Sequence, residues 1–257
     1  SFEANQKSID FKNIEHIVFA GMGGSGAIGD IFEAILSKTK IHVSVVKGYV
    51  LPKTVNSDTV VIAISVSGNT SETLAVLESA NKIKCKIISF SSGGKMLNYC
   101  KKNKIEHRDV PYHHSPRASF TSYLYTTLNV LYASLKIKKE DVLESIIELE
   151  KHNKKINSSN LTESNPSLNL AKWITNIPII YYPSGLQSVA IRFKNTLQEN
   201  SKIHVIAEDV VESCHNGIVS WEKKNEIKPI LIQGKDDHET TKEKWRIVKE
   251  FFKEKDI

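Results

Sequence analysis

Apolar residues in this chain fall into short continuous runs, and most runs give way to a glycine- or serine-bearing turn and then a helical pattern. His16-Ile17-Val18-Phe19-Ala20, residues 41–46, Thr59-Val60-Val61-Ile62-Ala63-Ile64 and Lys86–Phe90 are rich in β-branched or aromatic residues, and a shorter run lies near 106–110. Unbroken apolar runs of this length predict central parallel strands covered on both faces. Helices are expected at 31–36, 72–83, 95–102 and 120–135, and a charged one at 141–154. The alternation then resumes: helix 167–173, strand 178–182, helix 186–197, strands 203–207 and 228–233, and a helix from 240 onward. Residues 1–15 read as a short polar helix or arm. Regular β-α alternation with short connections implies an α/β protein built on doubly wound parallel sheets. In such sheets ligands lie beyond the carboxyl ends of the strands.

Two turns stand at such ends. Ser65-Val66-Ser67-Gly68-Asn69-Thr70-Ser71-Glu72-Thr73 follows the third strand. Gly68-Asn69 permits a sharp bend, Thr70 is a candidate N-cap, and Ser65, Ser67 and Thr70 would stand near free amides at a helix start. Neutral donors at the positive end of a helix dipole suit a phosphate. The plain alternative is a capped strand-to-helix turn, where Ser and Thr are common. The first strand runs into Gly21-Met22-Gly23-Gly24-Ser25-Gly26, a second turn of the same kind. Its glycines also satisfy the dinucleotide pattern G-x-G-x-x-G, which expects an acidic residue closing the second strand. That strand ends instead in Lys47-Gly48-Tyr49, so the nucleotide reading loses ground.

Composition adds little that is special. The 257 residues are 40% hydrophobic and 25% charged, which suits an ordinary globular chain with a sizeable core. No apolar run reaches a membrane span and no signal-peptide pattern opens the chain. The three cysteines, Cys85, Cys100 and Cys214, suggest neither a disulfide framework nor a zinc site, and a cytoplasmic location is expected. His113-His114 lacks the spacing of metal ligands, and no metal or cofactor is expected. The net charge of +6 is spread among acidic residues, with no motif for reading nucleic acid, so it reads as a solvated basic surface. The polar stretch 138–164 marks a connector between an N-terminal unit, 1–137, and a C-terminal unit, 165–257. The alternation of the two halves suggests a duplicated α/β unit.

With these motifs in order, the chain resembles the sugar isomerase (SIS) domain proteins, and within them the bifunctional phosphoglucose/phosphomannose isomerase family. The resemblance rests on the glycine turn 21–26, the serine turn 65–73, Pro116-Arg117-Ala118-Ser119, the stretch 194–202 and the stretch Glu212–Glu222. It implies two SIS-type subdomains in a double α/β sandwich. It implies that Gly24, Ser25, Ser65, Ser67 and Thr70 bind a substrate phosphate, that Glu199 is the base, that Arg117 is the cation beside the reacting carbons, and that His215 helps open the sugar ring. The family's histidine comes from a neighbouring subunit, so a homodimer with a shared site is implied. Family members also continue with a further strand, helices and a late lysine that this chain, ending at Ile257, does not match.

The implied chemistry suits those residue types. Aldose–ketose isomerisation moves a proton between C1 and C2 through a cis-enediol, which a carboxylate can take and return. A fixed cation stabilises charge on the enediolate oxygen, and a histidine can move a proton at the ring oxygen. On residue type alone, Glu199 could equally be an exposed carboxylate beyond its helix, Arg117 a solvent-facing or capping cation, and His215 part of a turn. Two other functions fit the same turns: a SIS-type sensor that binds a sugar phosphate without chemistry, and an isomerase of another sugar phosphate.

Overall fold

The computed structural model describes residues 7–257, and the chain divides into two compact units, 1–143 and 144–257. In the first, β1 (His16–Ala20), α1 (Gly23–Leu36), β2 (His42–Val46), β3 (Val60–Ile64), α2 (Ser71–Ile83), β4 (Lys86–Ser91), α3 (Gly94–Asn103), β5 (Glu106–Asp109) and α4 (Phe120–Leu131) follow one another. The helix α5 (Lys139–Ile156) contains the division point, and the second unit holds α6 (Pro166–Trp173), β6 (Pro178–Tyr182), α7 (Gln187–Ser201), β7 (Ile206–Asp209), α8 (Val210–Ser213), β8 (Lys228–Leu231) and α9 (Glu239–Glu254). A 3-10 helix, Gly217–Glu222, lies between α8 and β8.

The first sheet has the order β2-β1-β3-β4-β5, and every pairing is parallel. Its central strand β3, VVIAI, is buried at every position, as its unbroken apolar spelling requires. Val18, Ala20 and Val61 pack with Val76 and Ala80 of α2, and Ala63 with Leu77 of α2 and Met96 and Cys100 of α3. On the opposite face Phe19 stacks on Phe32 of α1, with ring centroids 4.7 Å apart. Helices therefore cover both faces, and the sheet is doubly wound. Because β1 connects outward to β2 while β3 connects the other way to β4, the strand order reverses between β1 and β3. Such a reversal opens a crevice at the carboxyl ends of those two strands.

The second sheet is three parallel strands in the order β7-β6-β8. Ile180 and Tyr182 face Ala190, Phe193 and Leu197 of α7. Ile179 and Tyr181 face Trp221 and the α9 residues Trp245, Val248 and Phe252. The Trp221 indole N–H donates to the Tyr181 hydroxyl at 2.9 Å, so this aromatic core leaves neither polar atom unpaired.

Several expectations shift. Of the polar start, residues 1–6 lie outside the described residues, and 7–15 form no helix, which leaves the arm of the two alternatives. The arm is held by Ile9 donating to the Val130 carbonyl at 2.9 Å and by Arg108 donating to the Lys7 carbonyl at 3.0 Å. α1 starts at Gly23, well before residue 31, so the glycine turn is largely the first turn of a helix. α4 stops being regular at Leu131 instead of 135. α7 runs to Ser201 rather than Leu197, and β7 begins at Ile206, three residues later than its apolar spelling suggested.

Candidate active site

The glycine turn works by closeness. A Cβ on Gly26 would lie 2.7 Å from the Gly21 carbonyl, and one on Gly29 would lie 2.8 Å from Phe19 Cβ, so only glycine lets α1 begin this near to β1. The amides of Ser25 and Gly26 turn back to the Met22 carbonyl at 3.0 and 3.3 Å. The amides of Gly23 and Gly24 head the helix, with no carbonyl a turn before them, and Ser25 is buried beside them. A Cβ on Gly21 would meet the Ile64 carbonyl at 3.0 Å, which sets this turn beside the end of β3.

The serine turn leaves that neighbouring strand. Ser65 is buried, Thr70 is half-buried and Ser67 is exposed. Thr70 occupies the N-cap position of α2, but its hydroxyl makes no cap hydrogen bond; it meets the Ser65 hydroxyl at 2.8 Å. The expected cap thus corrects to a hydroxyl pair, which leaves the first amides of α2 without a side-chain acceptor from Thr70. Parallel strands stand about 4.8 Å apart, so the two turns present their donors to one small volume at the point of reversal. Gly24 and Ser25 belong to the first of these turns, and Ser65, Ser67 and Thr70 to the second. Their hydroxyls and amides are neutral donors near two helix starts, the kind of arrangement that suits an anion.

The loop after β4 and the turn's own Asn69 hold the serine turn in shape. The loop after β4 backs it: Ser92 donates from its amide and its hydroxyl to the Val66 carbonyl, at 3.2 and 2.7 Å. The Asn69 carboxamide donates to the Ser67 carbonyl at 3.0 Å and accepts from the Lys95 amide at 3.0 Å. Buried Ser91 donates to the Gly93 carbonyl at 2.9 Å and meets His107 Nε2 at 3.4 Å, while His107 Nδ1 lies 2.9 Å from the Ser89 hydroxyl. Lys47, at the end of β2, lays its stem against Gly26 and pairs with Asp30 at 2.6 Å, placing a cation beside the glycine turn.

Burial lowers the His107 pKa below 6.5, against the opposing pull of Asp109 and Glu106, and burial likewise lowers that of His16. A group with a depressed folded-state pKa stabilises the fold above its unfolded value and loses that contribution as pH falls. Thermal unfolding midpoints are therefore expected to drop on going from pH 6.5 to 5, and His107→Gln should make that slope shallower. Identical slopes for the two proteins in a calorimetric pH series would contradict this.

Arg117 is exposed in the loop after β5, three residues before α4 begins. Glu199 belongs to the other unit. It is exposed and sits inside the last turn of α7, not beyond the helix as its spelling suggested. The Glu199 carbonyl accepts from Lys202 Nζ at 2.6 Å, and Lys202 closes the helix with φ of 59°. His215 is exposed in the turn after α8, a helix capped by Asp209, which accepts from the amides of Val211 and Glu212 at 2.8 and 3.1 Å. Among the described residues no group of His, Cys, Asp and Glu could hold a metal ion, and no helix is long and apolar enough to cross a membrane.

Fold and turns together define a two-unit SIS protein, and comparison with known proteins agrees. Residues 10–135 match the SIS domain, and residues 163–257 match the bacterial phospho-glucose isomerase C-terminal SIS domain. The chain belongs to the bifunctional phosphoglucose/phosphomannose isomerase family. It is 33% identical to the member from Caldicellulosiruptor bescii, over 96% of this chain and 75% of that protein. With the member from Aquifex aeolicus identity is 30%, over 98% of this chain and 78% of the relative. D-glucosamine-6-phosphate 4-epimerase of Sulfolobus acidocaldarius is also similar, at 31% identity over 86% of this chain and 69% of that protein. Among solved structures, the C-terminal domain of glucosamine-fructose-6-phosphate aminotransferase from Francisella tularensis shares the fold, with a TM-score of 0.70, 18% identity, and coverage of 93% of this chain and 71% of that one.

Proposed function

We propose that this chain interconverts glucose 6-phosphate and mannose 6-phosphate with fructose 6-phosphate through a cis-enediol, working as a homodimer. The observation that carries the reading is the pair of donor-lined turns at the strand reversal, in a chain of this family. Gly24, Ser25, Ser65, Ser67 and Thr70 hold the phosphate, and that remote grip positions the sugar for reaction at C1 and C2. Glu199 takes the proton from one carbon and returns it to the other. Arg117 offsets the charge that gathers on the enediolate oxygen, and His215 moves a proton at the ring oxygen during opening. The scheme calls for no cofactor and no metal. Exposure of Glu199 and His215 on the surface of their own unit leaves both side chains within reach of a substrate. The cytoplasm, where hexose phosphates are held, is the proposed location.

The test is a coupled assay for fructose 6-phosphate formed from each aldose phosphate. Turnover of both substrates is expected, and no turnover of either by folded protein overturns the reading. The similarity to the epimerase makes D-glucosamine 6-phosphate the control substrate, because turnover of it alone would move the chemistry from C1–C2 to C4. Saturable sugar-phosphate binding without any turnover would instead identify a sensor.

A further inference from the structure

The Tyr123 hydroxyl bridges two segments that the proposed reaction needs in register. Tyr123 lies one turn into α4 and is fully buried. Its hydroxyl is 3.2 Å from the Val66 carbonyl, inside the serine turn, and 3.1 Å from the Val110 carbonyl. Val110 directly follows β5 and opens the segment that carries Arg117. A phenol has one proton, so the two carbonyls share it. Burial raises its pKa, so it stays a donor across the working pH range.

We infer that Tyr123 is a positioning residue that holds the Arg117 segment at a set distance from the phosphate turn. The inference rests on the isomerase reading for its consequence, though not for its geometry. A sugar phosphate bound in its reactive conformation has one span from phosphorus to C2, so a cation meant for the enediolate oxygen must keep a matching distance from the phosphate donors. A drift of about 1 Å in such placement costs up to about 100-fold in rate. The two carbonyls are unequally supported: the Val110 amide stays tied to the Ser91 carbonyl at 3.0 Å, so what the phenol holds is the Val110 carbonyl and the chain leaving it. Val66 keeps both Ser92 donors when the phenol is lost, so the serine turn stays in place. The far end of the Arg117 segment is fastened separately: the buried Ser119 hydroxyl accepts from the His113 amide at 3.0 Å and donates to the Ser115 carbonyl at 3.0 Å.

Tyr123→Phe is therefore expected to lower kcat about 10-fold while the inhibition constant of inorganic phosphate stays within about 2-fold, a split that general loosening would not produce. Hydrogen exchange read by mass spectrometry should quicken at residues 110–119 and stay unchanged at 65–70 in the same variant. Ser119→Ala, which frees the segment at its other end, should give the same split and serves if Tyr123→Phe does not fold. Unchanged exchange at 110–119 overturns the inference, whether or not the chain is active. Equal loss of phosphate affinity and kcat also overturns it. An inactive wild type with the exchange pattern intact would sink the isomerase reading alone.

Discussion

Glu199→Gln is expected to lower kcat for both aldose phosphates by about 1000-fold, with KM changed by less than about 3-fold. The carboxamide keeps the shape and the hydrogen-bonding reach of the carboxylate but cannot accept and return a proton. Folding should be unaffected, because the side chain is exposed and surface substitutions usually stay within about 0.5 kcal/mol. A carboxylate in the last turn of a helix faces the negative end of the dipole, so the dipole does not favour Glu199 in its place in α7. In deuterated solvent the wild type should also place deuterium at C2 of the aldose phosphate, since a proton held on a carboxylate exchanges with water before it returns. The variant should lose exchange and turnover in proportion. If it retains a tenth or more of the wild-type rate, the base is another residue, and the roles proposed for Arg117 and His215 must be assigned afresh around it.

The fold was readable wherever burial on both faces dictated the spelling. β1 and β6 sit where their apolar runs begin and end, and β3 differs from its run by a single residue. β7 was misplaced because it pairs with β6 alone and its burial is partial, so its register follows from the Ile179–Ile206 pairing rather than from its own pattern. The start of α1 was placed late because glycine is a poor helix former. Close packing overrides that preference here: the same small residues that weaken the helix allow it to approach β1. The phosphate turns could be recognised because their residues are adjacent in sequence. Their supports could not, since Tyr123 reaches a carbonyl 57 residues away and Lys95 an amide oxygen 26 residues away. A side chain meeting a distant main-chain atom leaves no periodicity to read.

Gly68→Ala is expected to damage both fold and site, and Gly48→Ala neither. Gly68 has φ of +67°, where a side chain costs about 1–2 kcal/mol. An added Cβ would also stand 1.9 Å from the Gly93 carbonyl oxygen and 3.2 Å from Ser91 Oγ, and the first of these is main chain that cannot swing aside. Overpacking of this kind costs a further 1–3 kcal/mol or so. Together these imply a fall in unfolding temperature of roughly 10 °C. The displacement would fall on the turn itself: the Gly68 amide donates to the Ser65 carbonyl at 3.0 Å, and the Gly68 carbonyl accepts from Met96 at 2.9 Å, so Ser65 and α3 shift with it. Phosphate affinity should therefore fall at least about 10-fold at a temperature where the variant is still folded, since several donors lose their common focus. Gly48 has open space where its Cβ would be, and its variant controls for glycine loss in general. Inorganic phosphate inhibition and differential scanning calorimetry on the two variants decide the matter. If Gly68→Ala matched Gly48→Ala in both measurements, the serine turn would not depend on its contact with the loop after β4.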